Sequence, residues 1–95
     1  MRTFKNIATL IKTKRIEHPK CYSQMEFAHL LGFKCNKLIA EIEDAKGPVP
    51  LKIMPQISQA LNIHPNDFIE AVMKDHEESL DRFFKKNFNK KNLSM

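Results

Sequence analysis

The chain has 95 residues, and such a length suits one domain that buries roughly 60–65% of its unfolded surface, a modest core needing no staples. A 42% hydrophobic content with only two glycines and no tryptophan favours a compact helical protein. The net charge of +5 is unevenly spread: residues 1–20 carry six Lys/Arg against Glu17, residues 82–95 carry five against none, and residues 21–81 carry five lysines against ten acids.

Several classes are excluded at once. No stretch approaches the ~18 consecutive apolar residues of a membrane span, and the first residues lack the apolar core of a secretion signal, so the cytoplasm is the default expectation. Cys21 and Cys35 are too few for a disulfide framework and lack the paired spacing of a zinc site, which leaves two reduced thiols. A redox role for Cys35 is the minor alternative. With no Gly-rich phosphate loop and no acid and base at a convincing spacing, neither enzymatic activity nor a cofactor or metal is expected. No run alternates with period two between turn signals, so strands are not expected either.

The first helix is predicted from about Thr3 to Arg15 or Ile16. Phe4, Ile7, Ala8 and Ile11 follow the i, i+3, i+4, i+7 spacing of one buried face, which puts Lys5, Lys12, Lys14 and Arg15 outside. Pro19 ends it.

A second helix starts at Ser23, whose hydroxyl can accept from a first-turn N–H while Glu26 completes a capping box. Met25, Phe27, Ala28, Leu30 and Leu31 supply its apolar residues, and Gly32 suits the left-handed turn that stops it. After the turn Phe33–Asn36, a third helix begins near Cys35 or Asn36. Leu38, Ile39 and Ile42 point to one side, with Asn36, Lys37, Ala40, Glu41 and Asp44 on the other. Two short helices with a tight turn, the second presenting a polar face, describe a helix-turn-helix, although any small helical bundle would share the periodicity.

Gly47-Pro48-Val49-Pro50 is a break. Leu51, Ile53, Met54, Ile57, Ala60 and Leu61 then fit a fourth helix, either kinked at Pro55 or starting late after an irregular turn over Leu51–Met54. A fifth opens at His64-Pro65-Asn66-Asp67, with Pro65 suited to the first helical position and Asp67 to its positive end. Its register persists to about Lys86, roughly 33 Å. Within it Ile69, Met73, His76, Leu80 and Phe83 alternate four- and three-residue steps, the spacing of a coiled-coil seam. This helix either pairs with a second subunit or folds back over its own core. Residues 89–95 read as a frayed basic tail.

The motifs Ser23-Gln24, Leu30-Leu31-Gly32, Ile42-Glu43-Asp44-Ala45-Lys46, Pro48-Val49-Pro50 and Ala60-Leu61-Asn62-Ile63-His64-Pro65 together resemble the Xre/Cro-like family of phage-repressor-type helix-turn-helix proteins. The resemblance covers about residues 4 to 75. It implies an all-α, five-helix lambda-repressor-like domain over 1–75, beyond which the helical register makes residues 76–88 an extension of the last helix that could serve dimerisation. It also implies a sequence-specific transcriptional regulator that binds double-stranded DNA, as a homodimer on a palindromic operator. The implied contacts are Gln24, Asn36, Lys37, Ala40 and Glu41, and Lys34 and Lys46, which frame the third helix, are the expected contacts beside them.

Three departures bear on function. The turn before the third helix is one residue longer than the common form, and Ala45 stands where a glycine is usual. Ala40, Glu41 and Asp44 occupy positions where many members carry Arg, Ser or Asn. A carboxylate there can accept from cytosine but is repelled by phosphate. The alternative is therefore a protein-interaction module that keeps the fold, works through its long last helix and the acidic residues Glu41, Glu43 and Asp44, and has weak or lost DNA reading.

Overall fold

The computed structural model describes residues 3–91, and among them every regular element is helical. The five α-helices are α1 (Lys5–Glu17), α2 (Gln24–Leu30), α3 (Lys37–Glu43), α4 (Met54–Leu61) and α5 (Pro65–Lys91), with a 3-10 turn over Leu51–Ile53. The expected tail over 89–95 is helical as far as Lys91, and residues 92–95 lie outside the described residues.

The core forms where the apolar stripes of all five helices meet. Ile7 and Ile11 of α1, Phe27 and Ala28 of α2, Ile39 and Ile42 of α3, Ile57 and Leu61 of α4, and Phe68 of α5 are all buried, with Val49 and Ile63 filling in from loops. Phe27 is fully enclosed, and burying a side chain of that size stabilises the fold by about 2–3 kcal/mol. Helix α1 lies at the centre of the arrangement, against α3, α4 and α5.

Local chemistry sets the helix ends as the spacing suggests. Ser23 Oγ accepts from the Glu26 N–H at 3.0 Å while the Glu26 carboxylate accepts from the Ser23 N–H at 2.8 Å, a complete capping box. Helix α2 ends at Gly32, whose φ of +93° few other residues adopt, with the Phe33 N–H donating back to the Ala28 carbonyl. Pro55 falls in the first turn of α4, where its missing N–H costs nothing, so of the two readings the late start is the one adopted. Leu51, on the 3-10 turn, is outside the core and 80% exposed.

Helix α1 has no side-chain cap of its own. Instead Asp75, deep on α5, accepts from the backbone N–H groups of Asn6 at 2.7 Å and Ile7 at 2.9 Å, and from the Asn6 amide at 2.8 Å. Ser79 Oγ accepts from the Thr3 N–H at 2.8 Å. A carboxylate at the positive end of α1 satisfies donors that would otherwise be orphaned and complements the helix dipole. The part of α5 that holds the body therefore reaches Ser79, past the division drawn at Asp75.

Candidate nucleic-acid interface

Helices α2 and α3 are joined by residues 31–36 and packed against each other. Their relative position is fixed by a chain of polar side chains running beneath both. Arg15 Nε and Nη2 donate to the two carboxylate oxygens of Glu43 at 2.7 and 2.9 Å, and Arg15 Nη1 donates to the Tyr22 carbonyl at 2.8 Å. Gln24 Nε2 donates to Glu43 Oε1 at 3.0 Å, and Asn36 Nδ2 donates to Gln24 Oε1 at 3.2 Å. The end of α1, the start of α2 and both ends of α3 are thus tied to one carboxylate.

Arg15 and Glu43 are both buried, which makes this a desolvated, bidentate pair rather than a surface contact. The hydrogen bond to Glu43 holds the guanidinium above its ordinary pKa; burial pulls the other way, and the charge of Glu43 adds to the rise. The pair is complete: among the described residues no buried side-chain nitrogen or oxygen lacks a partner.

Arg15 is a correction to the expectation that it lies outside with Lys5, Lys12 and Lys14. Its position was marked in the sequence, since Ile7, Ile11 and Arg15 repeat every four residues and so share a face. Glu43 likewise follows Ile39 by four. A cation and an acid, each on a buried stripe, are the signal that periodicity read for hydrophobics alone passes over. Glu43 also leaves the set of outward acids, so that the exposed acids are Glu41 on α3 and Asp44 at its end.

The expected contact residues separate into two groups. Gln24 and Asn36 are half-buried and brought together in the polar chain, where their amides already have partners. Lys34 in the turn, Lys37 at the start of α3, Glu41 on it and Lys46 just after it are exposed, with Ala40 half-buried among them. The outer surface of α3 is therefore a short, mixed-charge ridge, its acids central and its lysines at the two ends.

The helix ends at Ala45 in a left-handed conformation, φ +59°, with the Ala45 N–H donating to the Ile42 carbonyl and the Lys46 N–H to the Glu41 carbonyl. That bond pattern is the same as at Gly32, so the missing glycine leaves the motif intact and makes its backbone strained. It also fixes where Lys46 leaves the helix.

On α5, the seam residues Ile69, Met73, Leu80 and Phe83 are 58, 59, 44 and 51% exposed, and His76 is exposed with them. Of the two readings of this helix, lying over its own core holds for the stretch from Phe68 to Ser79, and Met73 and His76 line a groove with Phe4, Pro48, Val49 and Met54. Phe68, Ala71, Val72, Asp75 and Ser79 make that packing. Cys21 and Cys35 are free and exposed, no group of three or more acids, histidines and cysteines is placed to hold a metal ion among the described residues, and no helix among them is long and apolar enough to cross a membrane.

No family model, curated protein or solved structure matches this chain.

Proposed function

We propose that the chain is a small sequence-specific DNA-binding regulator of transcription, a lambda-repressor-like helix-turn-helix domain acting as a homodimer on a palindromic operator. The observation that carries this reading is the α2–α3 pair: braced from beneath by the Arg15–Glu43–Gln24–Asn36 chain, it leaves the outer ridge of α3 uncovered.

In a major groove, α3 would present Lys37 to guanine O6 or N7, Ala40 to a thymine methyl, and Glu41 to the N4 amine of cytosine. Lys34 and Lys46, at the two ends of the ridge, suit phosphates on either side, where they position the helix without reading sequence. Gln24 and Asn36 contribute through whatever hydrogen-bonding capacity their internal bonds leave over. The central acids make binding depend on these flanking lysines, because Glu41 and Asp44 repel the backbone unless held over base edges.

Selection from a pool of random duplexes at near-physiological salt tests the reading. Enrichment of a palindrome bound well above background is the expected result. Steeply salt-dependent background binding with no enriched motif would sink it. It would leave the exposed Glu41 and Asp44 as support for the second reading, a module whose α3 ridge meets a protein.

A further inference from the structure

The start of α1, the loop after α3 and the middle of α5 leave a groove between them of about 190 Å³, with Phe4, Ile7, Val49, Met54, Val72 and Met73 along its apolar walls. Ile7 and Val49 are buried, whereas Met73 is 59% exposed and Pro48 and His76 are exposed with it, so the groove opens to solvent on that side. A dry cavity of about 150 Å³ takes a single benzene ring, so this one has room for a ring and a short tether. The two methionines in its walls adapt to the shape of what enters.

The polar part of the lining is negative. Thr3, Asp75 and Ser79 belong to it together: Ser79 Oγ accepts from the Thr3 N–H at 2.8 Å and donates to the Asp75 carbonyl at 2.9 Å. Asp75 is 4% exposed, and its carboxylate accepts three hydrogen bonds, two at Oδ1 from Asn6 and one at Oδ2 from the Ile7 N–H. A carboxylate has about four acceptor sites, so one at Oδ2 is unused. Glu78 stands beside it, accepting from the same Asn6 amide nitrogen at 3.1 Å. Among the described residues no cation pairs with either acid, the ion pairs there being Arg15–Glu43 and Lys85–Asp81. The positive end of α1 offsets only about half a charge of the two. An excess of negative charge therefore remains beside a groove that is otherwise apolar.

We infer that this groove binds a small amphiphilic amine, its hydrocarbon against Val49, Met54, Val72 and Met73 and its ammonium at Asp75. A primary ammonium brings three N–H donors, and the unused site of Asp75 Oδ2 and the hydroxyl oxygens of Ser79 and Thr3 are the acceptors in that part of the wall. A hydrogen bond between two charged groups is about twice as strong as a neutral one, so the ammonium and not the ring sets the selectivity. Asp75 and Glu78 exclude an anion, and a neutral ring leaves their charge unmatched. The inference depends neither on DNA nor on a second copy.

The probe is phenethylamine, titrated into the full chain with isotope-labelled methionine methyl groups. Met54 and Met73 line the groove while Met25 lies exposed on α2, so the first two signals should shift and saturate and that of Met25 should stay in place. A ligand of this size should bind with a Kd of about 0.1–1 mM. Phenethyl alcohol, equal in size and uncharged, should bind about 10-fold more weakly, and phenylacetate more weakly still. Asp75→Asn should bring the amine down to the affinity of the alcohol. Val72→Phe fills the groove and should abolish binding of both, with the same spectra reporting that each variant is folded.

An alcohol that binds as tightly as the amine would overturn the inference, as would shifts at Met25 as large as those at Met54. Absence of any shift at ~10 mM amine, or an affinity that neither variant lowers, would overturn it as well. If Asp75→Asn fails to fold, Val72→Phe and the comparison of amine with alcohol still decide it.

Discussion

The α2–α3 pair and helix α5 solve opposite problems. Beneath α2 and α3 the polar groups Arg15, Glu43, Gln24 and Asn36 satisfy one another, and the outside is left charged, as water requires. On α5 the polar groups Asp75 and Ser79 are also turned inward, yet the exposed side sets Ile69, Met73 and Leu80 among Glu70, Lys74, Glu77 and Asp81. Buried polarity thus orients both regions, in one case beneath a charged ridge and in the other beneath a face where apolar and charged side chains stand together. The difference teaches that the large apolar side chains left exposed gather on α5 and not on α3.

Arg15→Ala breaks the first half of this comparison most severely. Removing the cation leaves the Glu43 carboxylate buried without its counter-charge, which should cost about 3–5 kcal/mol, a large share of the ~5–10 kcal/mol of a domain this size. Urea denaturation measures it. The double change Arg15→Met with Glu43→Leu should recover much of the loss, since a well-packed apolar pair avoids desolvating two ions. An Arg15→Ala midpoint close to wild type would mean that the core alone positions α3.

Asp75→Asn tests the other region, with a smaller effect. The amide keeps the shape and one acceptor but loses the charge at the start of α1 and the ability to accept from both the Asn6 and Ile7 N–H groups through separate oxygens. A loss of about 1–3 kcal/mol is expected, and faster amide exchange confined to Asn6 and Ile7 should accompany it. If exchange quickens across all of α1 instead, Asp75 is a global staple and not a cap. The comparison with α2, whose cap is entirely local, would then need redrawing.

What could be read from the sequence follows from the range of the interactions. The capping box at Ser23, the stop at Gly32 and the opening of α5 at Pro65 all depend on a few neighbouring residues, and each is found where local spacing puts it, whereas Pro55 leaves a kink and a late start of α4 equally open. The cap on α1 spans 69 residues and Arg15–Glu43 spans 28, so no local pattern announces either partner. Arg15 was still detectable as a cation on the Ile7–Ile11 stripe. The motif marks Gln24 and Asn36 as expected contacts, but their tie to Glu43 depends on how α1, α2 and α3 converge.

Lys46→Ala and Lys37→Ala sharpen the account of the α3 ridge. Loss of a phosphate contact at Lys46 should weaken every duplex by a similar factor and lower the salt slope by about 1. Lys37→Ala should instead cost about 1–3 kcal/mol on the preferred sequence and little on others, so that discrimination falls. Titrations of both variants on a selected and a scrambled duplex, at three salt concentrations, separate the two. Equal losses on both duplexes from Lys37→Ala would remove it from base reading and leave it a phosphate contact.

The smallest effect expected comes from the end of α3, and its sign is opposite. Ala45 holds φ +59° to let the Lys46 N–H reach back to Glu41, a conformation that costs a residue with a Cβ on the order of 1 kcal/mol. Gly32 holds the same place after α2, where an added Cβ would meet nothing within 4 Å, so there the backbone alone decides. Ala45→Gly should therefore stabilise the chain by about 0.5–1 kcal/mol after the entropy of a freer unfolded chain is offset, and Gly32→Ala should destabilise it by a similar amount. In a chain of this length those values correspond to shifts of roughly 2–8 °C in Tm, in opposite directions. Ala45→Gly should leave DNA affinity unchanged, because the bond pattern that aims Lys46 is already complete. A gain in stability accompanied by weaker binding would mean that the strained alanine restricts how α3 ends, and so serves the ridge rather than the fold.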